Sequence, residues 1–210
     1  MYLSAINDHR ATPRKETVKT EEDCERWLIE KCLRPNKIHW GVLEHPQLSF
    51  QLTGVPRFAL IQLRTHRQCT FDIQSMRETG EFITDTYRAY ETGQISKEVA
   101  VKEVFATEYM PVCMNDALLQ QMQSYTEFMR YPHARYEKAR FLVGDGVRAN
   151  CMVSLNLRHL LHIGSVRLAG NAQFEVKEAV WMMLNEAEKV HPQIVRWFFE
   201  TKPERLTLSP

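Results

Sequence analysis

The stretch GDGVRANCMVSLNLRHLLHIGSVRL, residues 144–168, carries the reading that decides the fold. Gly144-Asp145-Gly146 is turn chemistry, since glycine accepts backbone angles closed to other residues and aspartate bonds its own backbone. Ala149 to Leu155 suits a strand that leads into the next element. From Asn156 to Leu168 the residues Leu157, Leu160, Leu161 and Leu168 recur at helical spacing, which predicts a helix. Ala172 to Val190 reads as another.

Outward from this core the signals vary in sharpness. Thr20 followed by Glu21, Glu22 and Asp23 predicts a helix cap with acids in the first turn, where the helix dipole favours them. Trp27, Leu28 and Cys32 then supply an apolar stripe, which Pro35 ends. Leu43 to Phe50 and Arg57 to Thr70 are rich in strand-forming residues, and Thr53-Gly54-Val55-Pro56 between them is turn chemistry. Gln94 to Phe105 fits a helix or a strand. Asp116 to Arg130 and Tyr131 to Leu142 look helical, with a break at Pro132. The segment to about Lys19 suits a strand, an arm or loose chain, and the tail from Thr201 reads as irregular. Helices before and after strands, without regular βαβ alternation, favour an α+β fold over a doubly wound sheet. Trp181, Met182, Met183 and Leu184 read as helix core or a subunit contact, and Trp197, Phe198 and Phe199 as packing.

Bulk properties narrow the function. With 210 residues, 44% of them hydrophobic, the chain buries one substantial core, and a single domain is expected. Lysine and arginine number 27 against 26 acidic residues, so no net charge draws the protein to nucleic acid or to an anionic membrane. Any anion site is therefore local. The five cysteines, Cys24, Cys32, Cys69, Cys113 and Cys151, are odd in number, scattered, and lack a CxxC pair, which argues against a disulfide framework and a structural zinc. No apolar run reaches membrane-spanning length, and the N-terminus lacks the apolar stretch of a signal peptide. The expectation is a soluble, cytoplasmic protein with no bound metal; His39 and His45 lack further ligands at metal-site spacing.

Two clusters carry chemistry. Gln62 to Arg77 concentrates arginines, a histidine, amides and hydroxyls; guanidinium groups suit phosphate because their planar fork donates bidentately and stays charged. The same residues also suit an exposed strand and turn with solvated arginines. In the second cluster, Asn156, Arg158, His162 and Arg167, the rotation of about 100° per residue puts Arg158, His162 and Ser165 on one helical face and Arg167 near Asn156 on another. One helix then serves two ligands, or its polar residues are merely solvated.

Together the clusters resemble one family. Thr65-His66-Arg67, seven residues and Ser75 resemble the RHRx7S signature of flavin-dependent thymidylate synthases, with Arg77 at the signature's following arginine. His39-Trp40-Gly41-Val42-Leu43-Glu44-His45 resembles the upstream HxxxxEH segment, and Ala139-Arg140 a stretch that supplies another nucleotide-binding arginine. Asn156-Leu157-Arg158, His162, Arg167-Leu168 and Ala172-Gln173-Phe174-Glu175 resemble the C-terminal helix and its AQxE continuation. The resemblance covers roughly residues 39 to 178, in the right block order.

What the resemblance implies is specific. It implies a mostly antiparallel sheet packed by helices, assembled as a homotetramer, and reductive methylation of dUMP to dTMP with FAD, methylenetetrahydrofolate and NADPH. His66, Arg67 and Gln68 would contact FAD, with Asn156, Arg158 and His162 reaching it from other subunits. Gln62, Ser75, Arg77 and Arg140 would hold dUMP, and Arg167 would contact the uracil and stabilise charge at N3. His39 would lie near the flavin and the folate. No cysteine attacks the base in this family, so Cys69 is not assigned as a nucleophile. The chain departs from the signature at Thr65 in place of its first arginine, at Asp72-Ile73 where Asn-Glu is common, and at Glu78 where tyrosine is common. Arg64 is adjacent to Thr65 but on a strand would point to the opposite side. A diverted pyrimidine-nucleotide hydroxymethyltransferase on the same scaffold is an alternative. So is a nucleotide- or RNA-binding protein, although only Phe71 offers a stacking ring among the basic residues of the first cluster.

Overall fold

The computed structural model describes residues 20–34 and 37–201. In chain order the elements are α1 (Glu21–Cys32), β1 (Leu33–Arg34), β2 (Lys37–Ile38), β3 (Gln47–Pro56), α2 (Arg57–Leu63), β4 (Cys69–Ile73), α3 (Glu81–Glu91), α4 (Lys97–Val104), α5 (Asn115–Met129), α6 (Tyr136–Ala139), β5 (Arg148–Asn156), α7 (Leu157–Arg167), α8 (Phe174–Val190) and α9 (Pro192–Thr201). β1 and β2 pair antiparallel, and a three-stranded sheet has the order β3-β5-β4. Ser49 meets Ser154 and Gly54 meets Asn150, so numbering rises along β3 as it falls along β5 and these strands run antiparallel. The fold is thus of the expected α+β class. Backbone contacts divide the chain into two interleaved units, Met1–Phe50 with His66–Thr70 and Val153–Pro210, and Gln51–Thr65 with Phe71–Met152. The N-terminal segment to Lys19, Pro35 and the tail beyond Thr201 lie outside the described residues.

In the first unit, α1 starts where its cap predicts. Thr20 Oγ1 accepts the Asp23 amide at 3.1 Å and Asp23 Oδ2 accepts the Thr20 amide at 3.2 Å, so two orphan donors of the first turn are satisfied reciprocally. The buried Glu25 gave no such signal. Its carboxylate accepts the amides of Gln193 and Ile194 at 2.9 and 3.4 Å, filling the donor-rich start of α9, and lies 2.8 Å from His191 Nδ1. α9 is a helix in which Trp197 and Phe198 are buried, and Thr201 belongs to its last turn rather than to an irregular tail. On α8, Met183 and Leu184 are core while Trp181 and Met182 are exposed.

The second unit corrects three expectations. Thr53 to Pro56 is not a turn, since β3 continues through it. Gly54 takes a φ of 69°, its amide donates to Asn150 Oδ1 at 3.0 Å, and its carbonyl accepts from Arg148 Nη1 at 2.9 Å, so the glycine kink is absorbed within the strand. Arg57–Leu63 is helix rather than strand. Its first amides, on Arg57 and Phe58, donate to the carbonyls of Val147 and Asp145, and Ala59, Leu60 and Leu63 share a buried face. Distant carbonyls thus satisfy the helix's first donors in place of a side-chain cap. Of Tyr131 to Leu142, only Tyr136–Ala139 is α-helical, followed by a 3-10 turn at Arg140–Leu142. The ambiguous Gln94 to Phe105 resolves to α4, because Ser96 Oγ accepts the Val99 amide and caps it. α3 has no counterpart among the elements expected from sequence.

The core of the second unit gathers Met76, Ile83, Tyr87, Val104, Phe105, Met122 and Tyr125, with Met129 and Tyr136 packed against it. Gly80 lets these residues close up. A Cβ there would stand 2.0 Å from the Tyr125 hydroxyl, 3.0 Å from Tyr136 Cδ1 and 3.2 Å from the Met76 carbonyl. That hydroxyl is buried and has no hydrogen-bond partner. Gly80→Ala is therefore expected to cost about 1–3 kcal/mol by overpacking. Tyr125→Phe, which deletes an unsatisfied buried group, is expected to leave stability level or raise it and to recover most of the Gly80→Ala loss in the double variant. Thermal denaturation of the three variants checks this; a double variant as unstable as Gly80→Ala alone would refute the contact.

Candidate active site

In the first unit the site is built on the step from β5 to α7. Asn156, at the helix N-cap, accepts the His159 amide on Oδ1 at 2.8 Å, which ends the strand and starts the helix. Arg158 is buried and forms an ion pair with Glu44. His159, 1% exposed, and the half-buried His162 lie one turn apart with ring centroids 5.7 Å apart. Both face His66, at 6.0 and 6.3 Å in edge-to-face arrangements. At the far end of the helix Arg167 Nε donates to His66 Nε2 at 3.0 Å. His66 Nε2 must then carry the lone pair, which leaves the ring proton on Nδ1. Arg67 and Gln68 are exposed on the same loop, and His39 is half-buried ahead of the 3-10 turn at Trp40–Leu43.

The helical-wheel expectation holds only in part. Arg158 pairs with Glu44 while Arg167 reaches His66, yet His162 also faces His66, so His162 and Arg167 meet at one imidazole rather than serving separate faces. His159 was not singled out from sequence, although its spacing of three from His162 is the signal that finds it. Among the described residues no group of histidine, cysteine or acidic side chains is arranged to hold a metal.

In the second unit, Gln62 sits in the last turn of α2 and its carbonyl accepts the Thr65 hydroxyl at 2.7 Å. Thr65, standing where the signature has arginine, is thus used to close the helix end. Arg64 is the C-cap residue of that helix, so the argument from strand alternation does not apply to it. Ser75 opens a turn: its Oγ accepts the Arg77 amide at 3.3 Å and its carbonyl accepts the Thr79 hydroxyl at 2.9 Å. Met76 is buried between Ser75 and Arg77, both exposed, and so fastens the turn to the core. Arg77 lines a cleft of about 400 Å³ with Glu78, Met129, Arg135, Tyr136 and Glu137. Its Nε is 3.9 Å from Glu137. Arg140 is exposed, 5.7 Å from the Phe141 ring centroid. Gln62, Ser75 and Arg140 are not among the residues lining this cleft, and Arg135, which is, was not read from the sequence.

Electrostatics favours neutral imidazoles. Burial first, then the Arg167 guanidinium and the two neighbouring histidines, lowers His66 from 6.5 to about 4. Burial, His162 and Arg158 lower His159 to about 4. The unfolded chain binds these protons near pH 6.5 and the folded chain only near pH 4, so both groups contribute stability above pH 6.5 that is lost as pH falls through that window. Melting temperature is expected to drop between pH 6.5 and 4, and to drop less steeply in His159→Phe, which removes one of the two titrating rings. Equal slopes in the two proteins would refute the assignment.

The chain is similar to known proteins in sequence and in fold. Residues 2–193 match the family described as thymidylate synthase complementing protein. A protein named flavin-dependent thymidylate synthase from Sulfurisphaera tokodaii is 30% identical over 182 residues, which cover 87% of this chain and 65% of that protein. One of the same name from Thermococcus onnurineus is 32% identical over 162 residues, covering 76% of this chain and 62% of that protein. The chain thus spans slightly less than two thirds of the length of these two relatives. Thymidylate synthase X from Helicobacter pylori, solved with FAD and dUMP, shares the fold with a TM-score of 0.70 at 17% identity, covering 88% of this chain and 86% of that one. Since the match takes in every segment that bears the two clusters, the chain belongs to the thymidylate synthase complementing protein family.

Proposed function

We propose that this chain methylates dUMP to dTMP, with FAD as hydride carrier, methylenetetrahydrofolate as carbon donor and NADPH as reductant. One observation carries the reading: the hydrogen bond from Arg167 Nε to His66 Nε2 joins the loop that resembles the family signature to a helix 101 residues away. The relatives' names and the FAD and dUMP of the Helicobacter pylori neighbour support it.

The first unit fits a flavin. His66, Arg67 and Gln68 offer a ring, a cation and an amide on one loop, and both ring nitrogens of His159 are buried beside His66 without a hydrogen-bond partner. In this reading His66, Arg67 and Gln68 hold FAD with Asn156, Arg158 and His162, the last three from other subunits of a homotetramer. Gln62, Ser75, Arg77 and Arg140 hold dUMP through its phosphate and sugar, and His39 lies near the flavin and the folate. The odd set of five free cysteines supports a cytoplasmic setting.

Bound FAD supplies the hydride chemistry, and the chain's residues bind, orient and place charge. Arg167 sets a fixed guanidinium at the N3 edge of uracil, where negative charge develops on activation. Neutral His66 holds that guanidinium by accepting from it; a protonated ring would lose the acceptor and repel Arg167. Cys69 takes no nucleophilic part, because burial pushes its thiol up to about 12 and leaves little thiolate at neutral pH.

Anaerobic incubation of the purified protein with FAD, NADPH, methylenetetrahydrofolate and dUMP is expected to yield dTMP by mass only when all four are present. Flavin binding with no dTMP would sink the reading, and a hydroxymethylated product would name the diversion. Arg167→Ala is expected to lower turnover roughly a hundredfold or more while keeping FAD. Arg158→Ala is expected to lose flavin first, as read from the flavin absorbance that stays with the protein on gel filtration.

A further inference from the structure

We infer that Arg135 is a second guanidinium of the cleft that contains Arg77, and that it discriminates for the phosphate monoester of the nucleotide. The inference rests on the nucleotide reading above and adds to it a residue that neither the signature nor the sequence patterns single out.

The cleft of about 400 Å³ brings Arg77 and Arg135 to one concavity. Arg77 comes from the Ser75 turn and Arg135 from the residue just ahead of α6, and both segments are anchored in one core. Met76, next to Arg77, and Tyr136, next to Arg135, belong to the same packed cluster, and Gly80 lies close to both. The backbone of Arg135 is fixed as well, its carbonyl accepting the amides of Lys138 and Ala139 at 2.9 and 3.0 Å. The two cations therefore hang from rigid attachment points.

Their surroundings favour an arriving anion. Among the described residues no carboxylate lies within ion-pair distance of Arg135, and the two acids that line the cleft, Glu78 and Glu137, are both exposed. Glu137 stands 3.9 Å from Arg77 Nε, beyond hydrogen-bond reach, with both side chains about half exposed, and Glu78 is exposed. A loose, solvated pair of this kind is worth little and yields to a better acceptor. A phosphate monoester carries close to two negative charges at neutral pH and offers three acceptor oxygens, which matches two planar forks better than one carboxylate does. The cleft also supplies Tyr136 and Met129, a polar edge and an apolar wall, for the rest of a nucleotide.

The test compares dUMP with 2′-deoxyuridine, which lacks only the phosphate, by calorimetry on the FAD-loaded protein. Arg135→Ala is expected to weaken dUMP roughly tenfold to a hundredfold and to leave 2′-deoxyuridine and flavin content unchanged. Arg135→Lys recovers part of the loss, and Lys138→Ala, on the same turn but outside the cleft, changes nothing. Equal weakening of both ligands would mean a merely structural role and overturn the inference, as would unchanged dUMP affinity. A wild-type protein that binds dUMP no better than 2′-deoxyuridine would bring down the nucleotide reading itself, and this inference with it.

Discussion

The step from β5 to α7 is the constraint on which the first unit turns. Asn156 converts an extended chain to a helix by lending its side-chain oxygen to the His159 amide, and the Leu157 amide is held by the Pro46 carbonyl at 3.0 Å. With that corner fixed, every later side chain of α7 has a set bearing. Arg158 turns to Glu44, His159 and His162 turn to His66, and Arg167 closes on the same ring from the helix end. A one-residue shift of the corner would rotate all four by about 100° and dissolve the cluster.

The imidazole group shows how burial chooses a protonation state. Three neighbouring rings, one of them in contact with the Arg167 guanidinium, would repel strongly if charged. Desolvation resolves the conflict by keeping His66 and His159 neutral, and neutrality makes His66 an acceptor rather than a rival cation. The cost falls on His159, whose two ring nitrogens are sealed in without partners. An apolar side chain would be the more stable choice at that position, so polarity there has a local purpose rather than a packing one.

Much of this was legible in the sequence, and the exceptions have physical reasons. Caps and apolar periodicity are local, so α1, α5, α7 and α8 were read with small errors at their ends. Arg57–Leu63 was misread because no side chain caps its start, where Pro56 stands, and the distant carbonyls of Asp145 and Val147 take up its first amides instead. Thr53 to Pro56 was misread because a glycine and a proline usually end a strand, and only Asn150 and Arg148 hold Gly54 inside one. The site residues were found by spacing in blocks, which marks His66 and Arg167 separately. Their meeting depends on a loop closing over a helix, and neither pattern encodes that. Arg135 escaped because Tyr131 to Leu142 reads as helical throughout, whereas the helix begins only at Tyr136 and Arg135 stands at its N-cap, two residues after the positive-φ His133.

The buried carboxylate of Glu25 has a consequence in the time domain. Its partners His191, Gln193 and Ile194 lie 166, 168 and 169 residues further along the chain, and His66 waits for Arg167 across 101. Contacts so far apart must await synthesis of the later segment and carry a large loop-closure cost, which makes their formation slow. α1 therefore emerges from the ribosome early and stays without its carboxylate's partners until α9 follows. The unit that bears the imidazole cluster is the last to be completed, and during that interval its unmatched apolar and acidic surfaces are the ones a chaperone would meet.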